Sequence, residues 1–168
     1  LTGGKDSRAV LAGLVGAAVS EHPEIKDIVK TGISLNAELT LSSLRLDVLD
    51  SELLKSLKEA GYRTVTLAPE AGSMRLRRVV NKAIEEQEIV QSIRLITEAG
   101  FTRLKLYFMI GLPTETDEDA LQAARLSIKI KGIMKKGTLT LSVNPFIPKP
   151  FTPFQWCAFE KEEVIKRR

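Results

Sequence analysis

The stretch Arg103-Leu104-Lys105-Leu106-Tyr107-Phe108-Met109-Ile110-Gly111-Leu112-Pro113-Thr114-Glu115-Thr116 decides the fold. Its apolar run is too short to cross a membrane and too aromatic to read as helix. Gly111-Leu112-Pro113 stops it, because strand interiors do not tolerate proline. Thr116 is followed three residues later by Asp119, the signature of a capped helix start. The stretch therefore predicts a strand, a sharp turn and a helix. In α/β folds, ligands sit in the turn beyond a strand's C-terminal end. This turn offers a helix N-terminus and a backbone left open by Gly111. An ordinary βα turn with good caps accounts for the same residues.

The pattern repeats outward from there. Leu11 to Ser20 is apolar and small, and periodicity does not separate strand from helix in it. His22-Pro23 opens a helix to about Lys30, with Pro23 at a favoured first position and Gly32 at its end. Leu39 to Leu46 alternates as a strand. Asp50-Ser51 caps a helix from Glu52 to Ala60 with Leu53, Leu54 and Leu57 on one face. Thr64 to Ala68 is a strand stopped by Pro69, and Met74 to Val80 a short helix. A longer helix, Glu85 to Ala99, places Ile89, Ile93 and Ile96 at helical spacing. A helix from Asp117 to Lys136 and a strand from Thr138 to Val143 follow the central stretch. The tail, Phe151 to Arg168, mixes aromatics with charge. Alternation of this kind predicts an α/β fold with a parallel sheet and right-handed crossovers.

Composition narrows the function classes. The chain has 168 residues, 43% hydrophobic and 27% charged, which suits one domain with a real core. The net charge of +4 is scattered, apart from Arg75, Arg77 and Arg78 and the pair Lys135-Lys136. With a single cysteine, Cys157, the chain can form no internal disulfide and no cysteine-based metal site. No signal peptide is legible, and no apolar run reaches about 18 residues without a charge.

In a parallel sheet, the loops after the strands share one edge. Here they carry Ser20-Glu21-His22, Arg45-Leu46-Asp47, Glu70-Ala71-Gly72-Ser73, Gly111 to Glu115 and Asn144. Carboxylates, hydroxyls, an Arg and an amide beside glycine backbone suit a ligand with ribose hydroxyls, a carboxylate or an amine. There is no phosphate loop of the Gly-x-x-x-x-Gly-Lys type and no nucleophile–base pair. His22, the sole histidine, reads as a surface residue at a helix start.

Four segments then resemble, in order, radical S-adenosylmethionine proteins. They are Thr66-Leu67-Ala68-Pro69-Glu70-Ala71-Gly72-Ser73, then Leu76-Arg77-Arg78-Val79-Val80-Asn81-Lys82, then Leu104 to Thr116. The fourth is Ser142 to Pro150 with Thr152-Pro153-Phe154-Gln155-Trp156. Within that superfamily they look most like uncharacterised members that often carry a cobalamin-binding domain. They are similar also to the tRNA methylthiotransferase and coproporphyrinogen dehydrogenase branches. Leu14 to Ser20 and Ser42 to Arg45 fit the same subgroup, so the resemblance covers residues 11–157.

The resemblance implies a partial, TIM-like (β/α) barrel with about five parallel strands and helices on its outer face. Residues 1–10 would be a flexible segment or a cloning remnant, 11–150 the barrel (strands two to six of the family's six), and 151–168 an extension. S-adenosylmethionine would lie on the strand ends. By the same resemblance Glu70 meets the ribose, Lys82 the methionine carboxylate, and the turn at Ile110 and Gly111 the adenine. Asn144 would reach the adenine or the sulfonium side. Tyr107 stands where several relatives have an Asp for the ribose. Ser73 and Arg45 complete the expected cofactor-binding set. A carboxylate suits a ribose diol, and a lysine offers a carboxylate a point charge without the arginine fork.

The family holds an iron–sulfur cluster on Cys-x-x-x-Cys-x-x-Cys after its first strand. This chain has only Cys157, which reads as an inert position in the aromatic tail. The expectation is that residue 1 falls after the cluster loop. The chain would then be a fragment of an iron–sulfur oxidoreductase, positioning S-adenosylmethionine for reductive cleavage to a 5′-deoxyadenosyl radical. The [4Fe-4S] cluster, and a cobalamin if the parent has that domain, would belong to the intact parent only. The parent is expected to be an enzyme and the fragment alone inactive, with no metal ligands here and catalytic residues unknown. A member that never had a cluster is the alternative within the family. Two other readings stay open. One is a non-enzymatic module, for RNA through the basic Arg75 to Arg78 helix. The other is an ATP pyrophosphatase-type loop at Leu1-Thr2-Gly3-Gly4-Lys5-Asp6-Ser7. The expected setting is cytoplasmic, away from membranes, with an unknown small-molecule substrate and self-association through open sheet edges.

Overall fold

The computed structural model describes residues 10–15, 19–41, 43–46 and 49–168. The Leu1 to Ser7 loop, Gly16 to Ala18, Ser42 and Asp47 lie outside the described residues. Strands β1 (Val10–Leu14), β2 (Ala37–Leu41), β3 (Thr64–Glu70), β4 (Arg103–Ile110) and β5 (Thr138–Pro145) are all parallel. They form two groups, β1-β2 and β3-β4-β5, joined by a parallel bridge from Leu44 to Leu67. Five main helices follow the strands: α1 (Ile25–Ser34), α2 (Ser51–Glu59), α3 (Met74–Val79), α4 (Glu86–Glu98) and α5 (Asp117–Met134). A partial (β/α) barrel is the result, as expected.

The core lies between the sheet and its helices. Leu53, Leu54 and Leu57 of α2 and Ile89, Ile93 and Ile96 of α4 are all buried, on the faces their spacing predicts. They meet Val65, Leu67, Leu104, Leu106 and Phe108 from the strands, with Leu126, Ile130 and Met134 of α5. Each such side chain contributes roughly 2 kcal/mol by leaving water. Among the described residues no helix is long and apolar enough to cross a membrane.

Several boundaries differ from the sequence reading; β2 spans Ala37–Leu41 rather than Leu39 to Leu46. Helix α1 starts at Ile25, not at His22-Pro23, and continues through Gly32 to Ser34. Gly32 is there for space: a Cβ would meet Leu39 Cδ1 at 2.8 Å, so the glycine lets α1 lie on β2. Asn36, with φ +55°, makes the turn instead. Strand β3 runs through Pro69 to Glu70, because a register irregularity between Leu67 and Glu70 absorbs the missing N–H. The tail folds back and forms α6 (Glu162–Arg167), which ends against the β4–α5 turn.

Candidate functional site

A hollow of 660 Å³ opens at the C-terminal edge of β2 and β3. Glu70 reaches it from the end of β3 and Lys82 from the segment after α3. Lys82 Nζ lies 3.1 Å from Glu70 Oε1 and donates to the Ala68 carbonyl at 2.6 Å. Facing them, Arg45 Nη1 pairs with Glu21 Oε1 at 2.7 Å. The Arg45 backbone N–H donates to Ser20 Oγ at 3.1 Å, which ties the loop after β1 to the end of β2. Asn81 and Glu88 complete the charged and amide wall.

Local chemistry sets both key side chains. Glu70 has φ +67°, a left-handed conformation that a glycine would adopt without cost. Asn81, at φ +56°, ends α3 and turns Lys82 toward the hollow, while Lys82 N–H donates to the Arg77 carbonyl at 2.7 Å. Arg77 braces these segments from behind. It is buried, and its guanidinium donates to the carbonyls of Ala71, Gly72 and Ile84 at 3.1, 2.7 and 2.7 Å. Of the basic helix read as an RNA surface, Arg77 is therefore internal. Arg75 is bonded to Asp119 and Thr114, and Arg78 lies 3.5 Å from Glu85.

Glu70, Lys82 and Arg45 thus come together. The other expected residues do not line this hollow. Ser73 is buried; its hydroxyl donates to Asp119 Oδ1 at 2.6 Å and accepts the Leu76 N–H as the α3 cap. At the β4 turn, Gly111 N–H donates to Glu115 Oε2 at 2.6 Å. Arg168 Nη1 holds that same oxygen at 2.9 Å, and Glu160 packs over Gly111. The turn read as open to a ligand is occupied by its own glutamate and by the tail. Ile110 lines a 150 Å³ cavity there with Ala120, Ala124 and Arg168, and its carbonyl accepts the Phe146 N–H at 2.8 Å. Tyr107 lies half-buried beneath Lys105, whose Nζ is 4.6 Å from the ring centroid. Asn144 is exposed beside Met109 and donates to Ser142 Oγ at 3.3 Å. Ala71, Leu76 and Leu112 form a small apolar cluster there, with Val80 and Met109 packed against it.

Two carboxylates at the β4–α5 turn are shifted in opposite directions. Burial works against the Asp119 carboxylate, but hydrogen bonds from Arg75, Ser73 and Thr116 outweigh it and hold the group well below the usual range. Burial pushes the Glu115 carboxyl up, although the Gly111 N–H and the Arg168 guanidinium pull the other way. Sequence reasoning missed Asp119 as the hub of this network and Glu88 as a wall of the hollow. The Thr116-x-x-Asp119 cap was the one signal for the former. Among the described residues no group of three His, Cys, Asp or Glu side chains could hold a metal ion, and Cys157 stands half-buried in the tail.

Known proteins share this architecture. Over 93% of its length the chain superposes on the coproporphyrinogen III oxidase of Escherichia coli, a radical SAM enzyme, covering 37% of it at TM-score 0.68 and 18% identity. Methylornithine synthase matches 86% of the chain, with 40% of its own length covered, at TM-score 0.58 and 15% identity. In sequence, the chain is 39% identical over 153 residues to an uncharacterised protein of Methanocaldococcus jannaschii, covering 91% of this chain. It spans about a third of that relative's length, 33%. The model of the Radical SAM superfamily matches residues 11–127. With that match across most of its strands and helices, the chain belongs to the Radical SAM superfamily.

Proposed function

We propose that the hollow formed by Glu70, Lys82 and Arg45 binds S-adenosylmethionine, and that this chain is the positioning part of a radical SAM iron–sulfur oxidoreductase. The single observation that carries the reading is the Lys82–Glu70 pair, partly exposed in a 660 Å³ hollow at the C-terminal sheet edge. The donor set fits the molecule. Among the described residues only one Glu70 oxygen is bonded, which leaves the other for a ribose diol, and Lys82 can exchange Glu70 for a carboxylate as a point charge. Glu21 and Glu88 offer acceptors for an ammonium. When bound, S-adenosylmethionine would supply a carbon–sulfur bond that one electron from the parent's iron–sulfur cluster would cleave, releasing methionine and a 5′-deoxyadenosyl radical. The residues present do not fit a cluster: one cysteine cannot supply three thiolates. The chain's own part is to bind, orient and partly desolvate the cofactor. Such chemistry suits a reducing, cytoplasmic setting.

Equilibrium titration with S-adenosylmethionine tests this. The double change Glu70→Ala with Lys82→Ala is expected to weaken binding at least about tenfold, since each removes a charged partner. Binding left unchanged overturns the assignment.

A further inference from the structure

In packed (β/α) barrels the residues facing the axis are mostly bulky and branched. The concave face of this sheet carries charge and hydroxyls instead. Along β4, alternation turns Leu104, Leu106 and Phe108 toward the helices, where all three are buried. Arg103, Lys105 and Tyr107 take the opposite face, and the Lys105 ammonium over the Tyr107 ring shows that those two share it. Parallel register sets Thr64 and Thr138 beside Arg103, and Thr66 and Thr140 beside Lys105. Two cations therefore stand two residues apart, roughly 6.6 Å along the strand. Each lies between two threonines.

Among the described residues, neither Arg103 nor Lys105 has an ion-pair partner. One acid, Glu38 of β2, lines an adjoining hollow of 330 Å³ with Leu11, Thr40 and Thr66. At the N-terminal edge of β3 and β4, Arg103 also borders a hollow of 400 Å³ with Lys58 of α2, Arg63, Tyr62 and Thr102, lined by no carboxylate of the described residues. The balance of this face is positive. Unpaired cations flanked by hydroxyl donors are what an anionic group takes up, through charge-assisted hydrogen bonds.

We infer that the concave face binds a small molecule with two anionic groups, carboxylate or phosphate, one held by Arg103 and the other by Lys105. The site itself stands on register and charge. Only the step of identifying that molecule as the substrate rests on the S-adenosylmethionine reading above.

Calorimetric titrations of the chain with succinate, pyrophosphate, acetate and neutral succinamide at low salt test it. A dianion is expected to bind, more weakly as salt rises, and succinamide not at all. The tighter of succinate and pyrophosphate identifies the anionic group. Lys105→Gln and Arg103→Gln should each weaken the dianion about tenfold or more, while Lys105→Arg, which keeps the charge, retains binding. Acetate binding as tightly as succinate, or dianion affinity unchanged in both glutamine variants, overturns the inference. S-adenosylmethionine is titrated into the same proteins. Its failure to bind wild type while a dianion still binds removes the cofactor reading alone; the converse removes this inference alone.

Discussion

Asp119 and Glu70 are both carboxylates near strand ends, each beside a cation, and they are used in opposite ways. The Asp119 side chain is 6% exposed, and both of its oxygens are taken. Ser73 donates to one; the Thr116 N–H, the Thr116 hydroxyl and Arg75 donate to the other. The Glu70 side chain is 27% exposed and, among the described residues, has one cationic partner, Lys82, at 3.1 Å. A charge whose partners are all internal fixes the chain and has nothing left to offer a ligand. A half-used charge beside a hollow keeps that capacity. By this criterion the β4–α5 turn, whose sequence announces the fold, is framework, and the end of β3 is the proposed site.

The largest effect is expected at Arg77, the most internal cation. Arg77→Ala strips partners from three buried carbonyls and leaves a void, at a cost of about 4 kcal/mol. Urea unfolding measures it. A loss no larger than the roughly 1 kcal/mol allowed at Glu70 breaks the division between framework and site, because the deepest charge would then matter no more than a partly exposed one. Asp119→Asn is expected to cost about 3 kcal/mol, since Ser73 and Thr116 lose an ionised acceptor.

Acid unfolding sharpens the same division. The folded-state value of Asp119 is depressed, so its stabilisation is complete above about pH 4, the ordinary carboxylate value. It is lost as pH falls from there toward the depressed value. Glu115 has the opposite sign: its raised folded value means that stability is gained as pH falls through it. Asp119→Asn should therefore flatten the acid limb of stability against pH. Glu115→Gln should remove the opposing gain and leave that limb steeper. An acid limb that Asp119→Asn leaves untouched would place the acid-sensitive contacts elsewhere.

Much of this was readable from residue order. The alternation of β4 and the Thr116 cap predict the strand and helix that form, and the leucines of α2 and isoleucines of α4 bury the faces their spacing implies. Boundaries failed where packing overrode local preference. Gly32 reads as a stop until β2 is laid against it, and Pro69 reads as a stop until a bulge removes the need for its N–H. Side-chain partners were the least legible. Ser73 and Arg77 look like ligand groups in sequence because their acceptors come from distant or unmarked positions: Asp119 for the first, backbone carbonyls for the second. The tail was invisible for the same reason, since Arg168 finds Glu115 only across the folded chain.

The smallest expected effect is the most telling. Glu70 keeps a left-handed backbone, φ +67°, that costs a non-glycine residue on the order of 1 kcal/mol. Its pair with Lys82 is partly exposed and screened, worth less than about 1 kcal/mol. Glu70→Gly relieves the first and forfeits the second. Glycine's freedom in the unfolded chain takes back roughly 0.5–1 kcal/mol more. The net change in stability should lie within about 1 kcal/mol of zero. Cofactor binding should nevertheless fall at least about tenfold, as for loss of a charged hydrogen-bond partner. That outcome would mark Glu70 as a residue that holds a strained backbone for what it binds rather than for folding. Should Glu70→Gly instead cost several kcal/mol, Glu70 would join Asp119 as framework, and the contrast between the two carboxylates would vanish.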